Sequence, residues 1–307
     1  MQTDPLSDIL AAFDTRAMVS GGINAGGDWA IRFPAPGTIK FGAVVRGRCQ
    51  HELEGCDGSV ALTGGDVFVV NGRYPIRLSS GPDVAFVDAV EAYGDGNIAV
   101  LGRGDDFQLL GGHLTLDPVG LTLLADVLPP LIHISAQSPQ AADLIWLLER
   151  LIAEMASGRP GSKAISQPLA HLLFVHALRG YIETSDDLTG WLKALVDPRI
   201  APAISLMHAQ PGRDWHLTEL AAAVGMSRSN FAERFRNVAG MTPLAYLRFW
   251  RMRLAENALL DGATSLASLS ASLGYASESS FSTAFKQVVG VAPSQYRVQA
   301  KAARKLV

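Results

Sequence analysis

The 307-residue chain is long enough for two domains with separate cores, and its 48% hydrophobic and 18% charged residues exclude a disordered protein. The net charge of −3 is unevenly distributed: the segment from residue 210 to residue 307 has 12 basic and six acidic residues, so it carries +6 and the remainder carries −9. A basic segment joined to an acidic body is typical of a chain that binds a polyanion at one end.

The N-terminus and the cysteine content predict a cytoplasmic protein. The first residues are acidic and lack the cationic start and apolar core of a secretory signal. No apolar run reaches the roughly 18 residues that a membrane span needs, so no membrane partner is expected. Two cysteines in a chain of this length indicate a reducing compartment.

The first third of the chain predicts one helix followed by a β-rich domain. Residues 1–20 place apolar side chains such as Leu10 and Phe13 on one side of a helix. From Gly21 to about Leu110, short β-forming runs are separated by Gly, Pro, Asp and Asn. Many short strands with glycine-rich turns predict a small barrel or a double-sheet jelly roll.

A helical hairpin is predicted next. Residues 141–157 and residues 166–183 each have an apolar face, and together they expose more hydrophobic surface than one pair of helices can bury. The hairpin must therefore pack on the barrel or on another subunit, and the sequence is consistent with both.

The last third repeats one helix-turn-helix pattern. In the first copy, apolar residues between Leu217 and Val224 recur at i, i+3, i+4 and i+7. Gly225 then interrupts the helix, and Ser227 is suited to cap a second helix that buries Phe231 and Phe235.

The second copy follows about fifty residues later, a spacing that indicates an internal repeat. A short helix between Ser265 and Leu273 precedes Gly274, and a new helix begins at Ser277 with Phe281 and Phe285 in place of the first pair. Both copies close with a Gly, a Pro and a Tyr in register. Between the copies, residues 243–260 predict one continuous helix, whose length at ~1.5 Å per residue is roughly 27 Å, close to one turn of B-DNA.

These motifs resemble the AraC-type DNA-binding domain over about residues 204–300, and GGDVFVVNGRYP with its neighbouring strands resembles the AraC-type cupin domain. The resemblance implies an α+β multidomain protein with a cupin-like β-barrel or jelly roll in residues 1–135, a helical linker in 136–200 and an all-α domain with two helix-turn-helix motifs in 201–307. It implies a transcription regulator that binds double-stranded DNA at specific sequences and whose barrel senses a small effector. Activation through RNA polymerase and a homodimer formed by the linker are also implied.

The cupin resemblance lacks the residues that usually bind a metal. Gly42, Tyr74 and Pro75 stand where ligand histidines are expected, and these residue types are poor metal ligands. We therefore expect no metal or other cofactor and no catalytic residues. His51 and His113, with Glu52, could recreate a site; the simpler expectation is a surface His on a strand and a hydrogen-bonded His in a loop.

Cys49 and Cys56 flank a predicted hairpin turn, which leaves two interpretations. Paired strands can bring thiols close enough for an oxidant-sensing disulfide. Alternatively, both are buried or incidental thiols, since only Arg48 is an evident cationic neighbour that could lower a thiol pKa.

Helical periodicity and the resemblance together predict the residues that contact DNA. With the phenylalanines buried, the opposite helix faces present small polar, acidic and methyl groups that can contact base edges. These base-reading candidates are Ser229, Ala232, Glu233, Glu278, Ser279, Ser282 and Thr283. The phosphate-binding candidates are Arg228, Arg234, Arg236, Arg248, Arg251, Lys286 and Arg297, whereas Arg253 is expected to form a structural pair with Glu256 or Asp261.

Two other functions compete with an effector-responsive regulator. One is a cupin oxygenase or isomerase fused to a DNA-binding tail, which the missing ligand histidines disfavour. The other is a regulator that needs no ligand and whose front domain only dimerises.

Overall fold

A computed structural model describes residues 4–139, 141–261 and 264–304, and the chain divides into two compact units. The barrel unit runs from Asp14 to Asp187, and the helical unit combines Met1–Phe13 with Leu188–Val307. These units differ from the domains predicted from the sequence: residues 4–13 fold with the C-terminal part, and the predicted linker hairpin folds with the barrel. In the described residues, no helix is both long and apolar enough to span a membrane.

The N-terminal helix is shorter than predicted. Helix α1 covers Pro5–Ala12, because the Asp4 carboxylate accepts hydrogen bonds from the backbone amides of Leu6 and Ser7 and Pro5 suits the first turn. Residues 16–20, predicted as helix, belong to the first strand instead.

The barrel unit is built from two sheets, as the sequence predicts. One has six strands in the order β11-β6-β3-β10-β1-β9, and the other has five in the order β5-β4-β7-β2-β8. Neighbouring strands are antiparallel except β1 with β9 and β2 with β8. The elements are β1 (Arg16–Gly26), β2 (Ala30–Phe33), β3 (Lys40–Arg46), β4 (Arg48–Leu53), β5 (Ser59–Thr63), β6 (Val67–Val70), β7 (Ile76–Ser79), β8 (Val87–Asp88), α2 (Ala89–Tyr93), β9 (Ile98–Gly102), β10 (Phe107–Thr115), α3 (Pro118–Val127), β11 (Leu131–Ile134), α4 (Ala141–Ala156) and α5 (Ser162–Thr184).

Side chains from both sheets form the core of the barrel unit. Trp29 on the approach to β2 packs on Phe107 at the start of β10, with ring centroids 4.6 Å apart. The alternation of buried and exposed residues along β4 directs Cys49, His51 and Leu53 inward. Such alternation is expected when one face of a sheet packs on a core.

Helices α4 and α5 form the predicted hairpin, and α5 packs on strands β1, β6 and β11 of the six-stranded sheet. The predicted apolar face of α4 is buried at Leu144, Leu147, Leu148 and Leu151. The apolar face of α5 is buried at Leu173, Phe174 and Leu178, whereas Leu172 is exposed. Packing of α5 on the barrel is one of the two arrangements that the sequence left open.

The helical unit contains eight further helices in the described part of the chain. α10 is the continuous helix predicted between the two repeats. The helices are α6 (Gly190–Val196), α7 (Ala201–Ala209), α8 (Leu217–Ala223), α9 (Arg228–Ala239), α10 (Pro243–Asp261), α11 (Leu266–Ser272), α12 (Glu278–Val289) and α13 (Pro293–Arg304).

Helix α1 completes the core of this unit. Its Asp8 carboxylate lies 3.1 Å from Nδ1 of His208 on α7, and Nε2 of the same imidazole lies 2.9 Å from the Tyr246 hydroxyl on α10. The His208 ring also stacks on Trp250 at 3.9 Å between centroids. Burial lowers the pKa of His208 to about 4, although Asp8 acts in the opposite direction.

Candidate DNA-binding site

Two helix-turn-helix motifs, α8–α9 and α11–α12, have the same local geometry. The turn of each begins at a glycine with positive φ, Gly225 at 65° and Gly274 at 76°. This left-handed conformation is accessible to glycine at little cost, which explains why the same residue occurs in both turns. Gly274 has a second constraint, since a Cβ there would lie 2.2 Å from the carbonyl oxygen of Gly212.

The second helix of each motif, α9 or α12, is called the recognition helix below. Both recognition helices begin at a serine cap, as predicted. The Ser227 side chain accepts a hydrogen bond from the Asn230 amide at 3.3 Å. In the second copy, the Ser277 side chain accepts from the Ser280 amide at 3.1 Å, and the Ser280 hydroxyl accepts in return from the Ser277 amide at 3.2 Å. Capping satisfies amides that would otherwise lack partners and fixes where each helix begins.

The four repeated phenylalanines are fully buried, as predicted. Phe231 and Phe235 pack edge to face at 5.8 Å, and Phe235 makes a similar contact with Tyr246. In the second copy Phe281 and Phe285 lie 5.7 Å apart, and the Phe285 ring packs on Tyr296. The tyrosines that close each repeat thus anchor the recognition helices in matching ways.

The faces opposite these phenylalanines carry the base-reading candidates. In the first recognition helix, Ser229 and Glu233 are exposed and Ala232 is partly buried. In the second, Glu278, Ser279 and Thr283 are exposed and Ser282 is partly buried. The Thr283 hydroxyl donates a hydrogen bond to the Ser279 carbonyl at 3.0 Å within the helix.

Four of the predicted phosphate-binding residues have free cationic groups. Arg228, Arg236, Arg248 and Lys286 are all exposed, and none of their cationic side chains has a hydrogen bond or ion pair with another described residue. An exposed cation without a protein partner can bind a phosphate oxygen without first breaking another contact.

The other three predicted phosphate-binding residues have structural contacts within the protein. Arg234 pairs with Asp197 at 2.7 Å. Arg251 donates to the carbonyl oxygens of Pro211 at 2.6 Å and Arg213 at 2.8 Å. Arg297 donates to the Thr264 carbonyl at 2.9 Å. Guanidinium groups hydrogen-bond well to carbonyls and carboxylates, so these three residues stabilise the unit itself.

Sequence reasoning did not identify Asp197 as the partner of Arg234. Its side chain is only 8% exposed, and burial alone would raise its pKa. Hydrogen bonds from Arg234 and from the backbone amides of Arg199 and Ile200 outweigh burial and hold the pKa below its usual range. No signal in the sequence marks this pair, because the partners are 37 residues apart.

The predicted structural role of Arg253 is confirmed. The side chain is 2% exposed and forms an ion pair with Glu256, one turn further along α10. The guanidinium carbon also lies 5.7 Å from the centroid of the Phe249 ring.

Cys49 and Cys56 form no disulfide in this structure. Cys49 is buried, and burial together with the nearby Asp66 carboxylate raises its pKa to about 12. A thiol with so high a pKa forms little of the reactive thiolate. The surroundings of Cys49 therefore favour the buried-thiol interpretation over oxidant sensing.

His51 lies on a strand, as expected, but its expected surface exposure and the expected loop position of His113 were wrong. His51 is 1% exposed, because it lies on the inward face of β4 and packs against the Phe68 ring at 4.9 Å. Its burial lowers the pKa to about 4. His113 lies on strand β10 rather than in a loop. Among the described residues, no group of three or more His, Cys, Asp or Glu side chains is placed to hold a metal ion.

Comparison with known proteins agrees with both units. A cupin family model matches residues 4–183, and a helix-turn-helix domain model matches residues 220–299. An AraC-like transcription regulator of Streptomyces lividans is 40% identical over 297 residues, which cover 96% of this chain and 98% of that protein. This chain belongs to the AraC-like transcription regulators.

Further relatives of this AraC-like regulator differ in how much of the chain they cover. The regulator AlkR of Acinetobacter baylyi is 29% identical over 89% of this chain and 92% of its own length. Among solved structures, the DNA-binding domain of AdpA in complex with a target DNA is 28% identical and covers 36% of this chain and 97% of that one, with a TM-score of 0.34. The cupin model and the helix-turn-helix model match two separate ranges of this AraC-like regulator.

Proposed function

We propose that the exposed outer faces of α9 and α12 read the operator sequence, with Ser229, Ala232 and Glu233 on the first helix and Glu278, Ser279, Ser282 and Thr283 on the second. The observation that carries this proposal is the matched burial of the phenylalanine pairs, which turns the same face of each helix outward. Serine and threonine can bond several bases, glutamate accepts from cytosine, and methyl groups contact thymine.

Phosphate contacts supply most of the affinity in this proposal, because the reading faces contain few cations. Arg228, Arg236, Arg248 and Lys286 have exposed cations without protein partners and fit this role. We remove Arg234, Arg251 and Arg297 from the set, since their guanidinium groups already bond to Asp197 and to backbone carbonyls. Phosphate contacts position a protein on DNA but do not specify sequence.

Two substitutions on α9 separate base reading from phosphate binding. Glu233→Ala should relax preference at one base pair, where a good contact contributes about 1–3 kcal/mol of discrimination. Arg228→Ala should weaken binding to all sequences alike and reduce the salt slope by about one. Binding-site selection, followed by fluorescence anisotropy at several salt concentrations, measures both effects.

Lys163→Ala is the control, because it removes one exposed cation from the barrel unit. It should leave both the sequence preference and the salt slope unchanged. If neither α9 variant altered preference or slope, the assignments on this helix would be wrong.

The barrel unit acts, in this proposal, as a sensor whose small-molecule ligand changes the affinity of the regulator for DNA. Such coupling requires the ligand to bind two states of the protein with different affinity. The barrel binds its ligand without chemical conversion, as the names of its relatives as transcription regulators suggest. The protein acts in the cytoplasm and activates transcription through RNA polymerase.

The regulator also forms a homodimer through the α4–α5 hairpin in this proposal. Trp146 on α4 is 57% exposed, and Ile165 and Leu172 on α5 are also exposed. A cluster of large exposed apolar residues is unfavourable in water and typical of an interaction surface. Aromatic side chains contribute strongly to such interfaces.

Trp146→Ser should shift the regulator from dimer to monomer over a concentration series. Light scattering coupled to size-exclusion chromatography measures the molar mass. Val298→Ser is the control, since Val298 is an apolar residue on α13 of the helical unit that is 68% exposed. A wild-type protein that is monomeric throughout, or a Trp146 variant that stays dimeric, would contradict the proposed interface.

A further inference from the structure

A cavity of about 440 Å³ lies between the two sheets of the barrel unit. Its volume falls within the range of about 300–1,000 Å³ that is usual for small-molecule sites. Strands β1, β2, β3, β6, β7 and β10 and helix α2 all contribute to its wall. The lining is mainly apolar, with Phe33, Phe68, Ile76, Leu78 and Leu109 among its residues.

Glycines on three neighbouring strands leave room for this cavity. In the six-stranded sheet, Gly111 on β10 lies directly opposite Gly21 on β1 and directly opposite Gly42 on β3. Residues that oppose each other in an antiparallel pair point to the same face of the sheet. On this face, three adjacent strands therefore have no side chain at Gly21, Gly111 and Gly42. A Cβ at Gly42 would lie 2.4 Å from the Phe68 ring, whereas a Cβ at Gly111 would meet nothing closer than 3.8 Å.

Lys40 supplies a positive charge to the cavity wall. It is partly buried at the start of β3, and its ammonium has no hydrogen bond or ion pair with another described residue. Desolvation lowers its pKa because burial disfavours the charged ammonium. A cation that has lost part of its hydration without gaining a partner is a favourable site for an anion.

The residue that faces Lys40 does not neutralise this charge. His113 on β10 is directly opposite Lys40 on β3, so both side chains lie on the same face of the sheet. Burial and the Lys40 charge both lower the pKa of His113, which therefore remains neutral at pH 7. The titratable residue paired with Lys40 across the two strands is thus an imidazole rather than a carboxylate.

A hydroxyl on α2 offers a second polar contact. Tyr93 lines the cavity, and its ring lies 6.2 Å from that of Phe33. Burial raises the pKa of Tyr93 to about 12, so the phenol keeps its proton and can donate a hydrogen bond. Among the described residues this hydroxyl has no hydrogen-bond partner.

We propose that the cavity binds a small organic monoanion, a carboxylate with an apolar body, whose carboxylate pairs with the Lys40 ammonium. The apolar body lies against Phe33, Ile76 and Leu78, and it fills the space that Gly111 leaves open. This inference rests on the proposed sensor function, because it specifies the ligand chemistry of the same unit. A neutral ligand would leave the partly desolvated Lys40 charge without compensation, and a cationic ligand would be repelled by it.

Three eight-carbon probes test the charge preference on the full chain without DNA: octanoate, 1-octanol and octylammonium. Isothermal titration calorimetry should give octanoate an affinity at least about tenfold above that of octanol, as one charge-assisted hydrogen bond implies. Octylammonium should bind more weakly than octanol. Equal affinities for octanoate and octanol, or no octanoate binding, would overturn the inference.

Two variants locate the binding site. Lys40→Met keeps the length of the side chain and removes the charge, so it should lose about tenfold in octanoate affinity while octanol affinity stays unchanged or rises. Lys163→Met is the matched control and should change neither. Gly111→Val places a β-branched side chain in the cavity and should weaken both probes while melting temperature and DNA affinity stay near wild type. An octanoate affinity unchanged in both Lys40→Met and Gly111→Val would place the ligand elsewhere and overturn the inference.

A separate measurement distinguishes this inference from the sensor function. DNA affinity is measured with and without saturating octanoate. Octanoate binding that depends on Lys40 but leaves DNA affinity unchanged supports the ligand chemistry and contradicts the sensor role. If octanoate does not bind but a neutral compound such as 1-octanol binds and changes the DNA affinity, the result supports the sensor role and contradicts the ligand chemistry.

Discussion

Replacing Phe285 with alanine should lower the free energy of unfolding of the helical unit by about 3–5 kcal/mol. The ring is completely buried and contacts both Phe281 and Tyr296, and it belongs to a core that also includes Met252 and Leu269. Truncation removes buried apolar surface and leaves a cavity, and both effects destabilise the unit. Phe235→Ala should behave in the same way in the first copy, where the ring is also fully buried.

Urea denaturation combined with hydrogen exchange of α12 peptides measures this loss in the full chain. Hydrogen exchange is needed because two compact units need not unfold in one transition. Val288→Ala is the control, since Val288 is on the same helix and 40% exposed. A loss below about 1 kcal/mol for Phe285→Ala, within the range of ordinary substitutions, would contradict the proposed anchoring role.

Replacing Arg253 with methionine should destabilise the helical unit by about 3–5 kcal/mol. Arg253 and Glu256 are 2% and 4% exposed, so removal of the arginine leaves the Glu256 carboxylate buried beside a thioether. An uncompensated buried charge costs more than the original pair contributes, because the desolvation of the remaining ion is no longer offset. Urea denaturation of the purified full chain measures the effect.

The double variant Arg253→Met, Glu256→Leu provides the decisive comparison. Replacing both partners with apolar side chains removes the unpaired charge, so its stability should return close to that of the wild type. Arg16→Met is a control for loss of an exposed pair, because Arg16 and Asp14 are both mostly exposed and such a pair contributes about 0–1 kcal/mol. A double variant as unstable as Arg253→Met alone would show that packing, rather than charge, dominates at this position.

The helix-turn-helix pair could be predicted from the sequence because its signals are local. Gly225 and Ser227 are two residues apart, and the cap, the turn and the helical spacing of Phe231 and Phe235 all agree within one short segment. The same signals recur fifty residues later, which excludes coincidence for any one of them. The two motifs and the burial of their phenylalanines could therefore be predicted from the sequence, whereas the base contacts of the exposed faces stay a prediction.

The roles of individual arginines could not be predicted, because their partners are distant in sequence. Arg234 pairs with Asp197 at a separation of 37 residues, and Arg251 binds the carbonyl of Arg213 at a separation of 38. An exposed arginine and a structural one look alike in an amphipathic pattern. The contact between His208 and Asp8, 200 residues apart, left no trace in the sequence either.

The barrel shows the same limit for single side chains. Short strands follow from their composition, but the inward position of His51 depends on the register between β4 and β7. The positive charge in the cavity had one signal in the sequence, a lysine at the start of the apolar run KFGAVV. That this lysine lies beside an imidazole rather than a carboxylate became known only from the pairing of its strand with the strand of His113. Register is a property of strand pairs, so it is absent from any one segment.

In the sequence, the barrel unit is inserted between the two parts of the helical unit, since residues 4–13 and the described residues from Leu188 onward belong to one compact unit. Ile9, Leu10 and Phe13 are buried there, and Phe13 packs edge-on against Trp191. During translation, the ribosome must add the 174 residues from Asp14 to Asp187 before that partner surface begins to emerge, roughly 10–35 s at elongation rates of about 5–20 residues per second. Throughout this interval the apolar side of the nascent N-terminal segment is without its native partner, so maturation of the helical unit follows synthesis of the barrel.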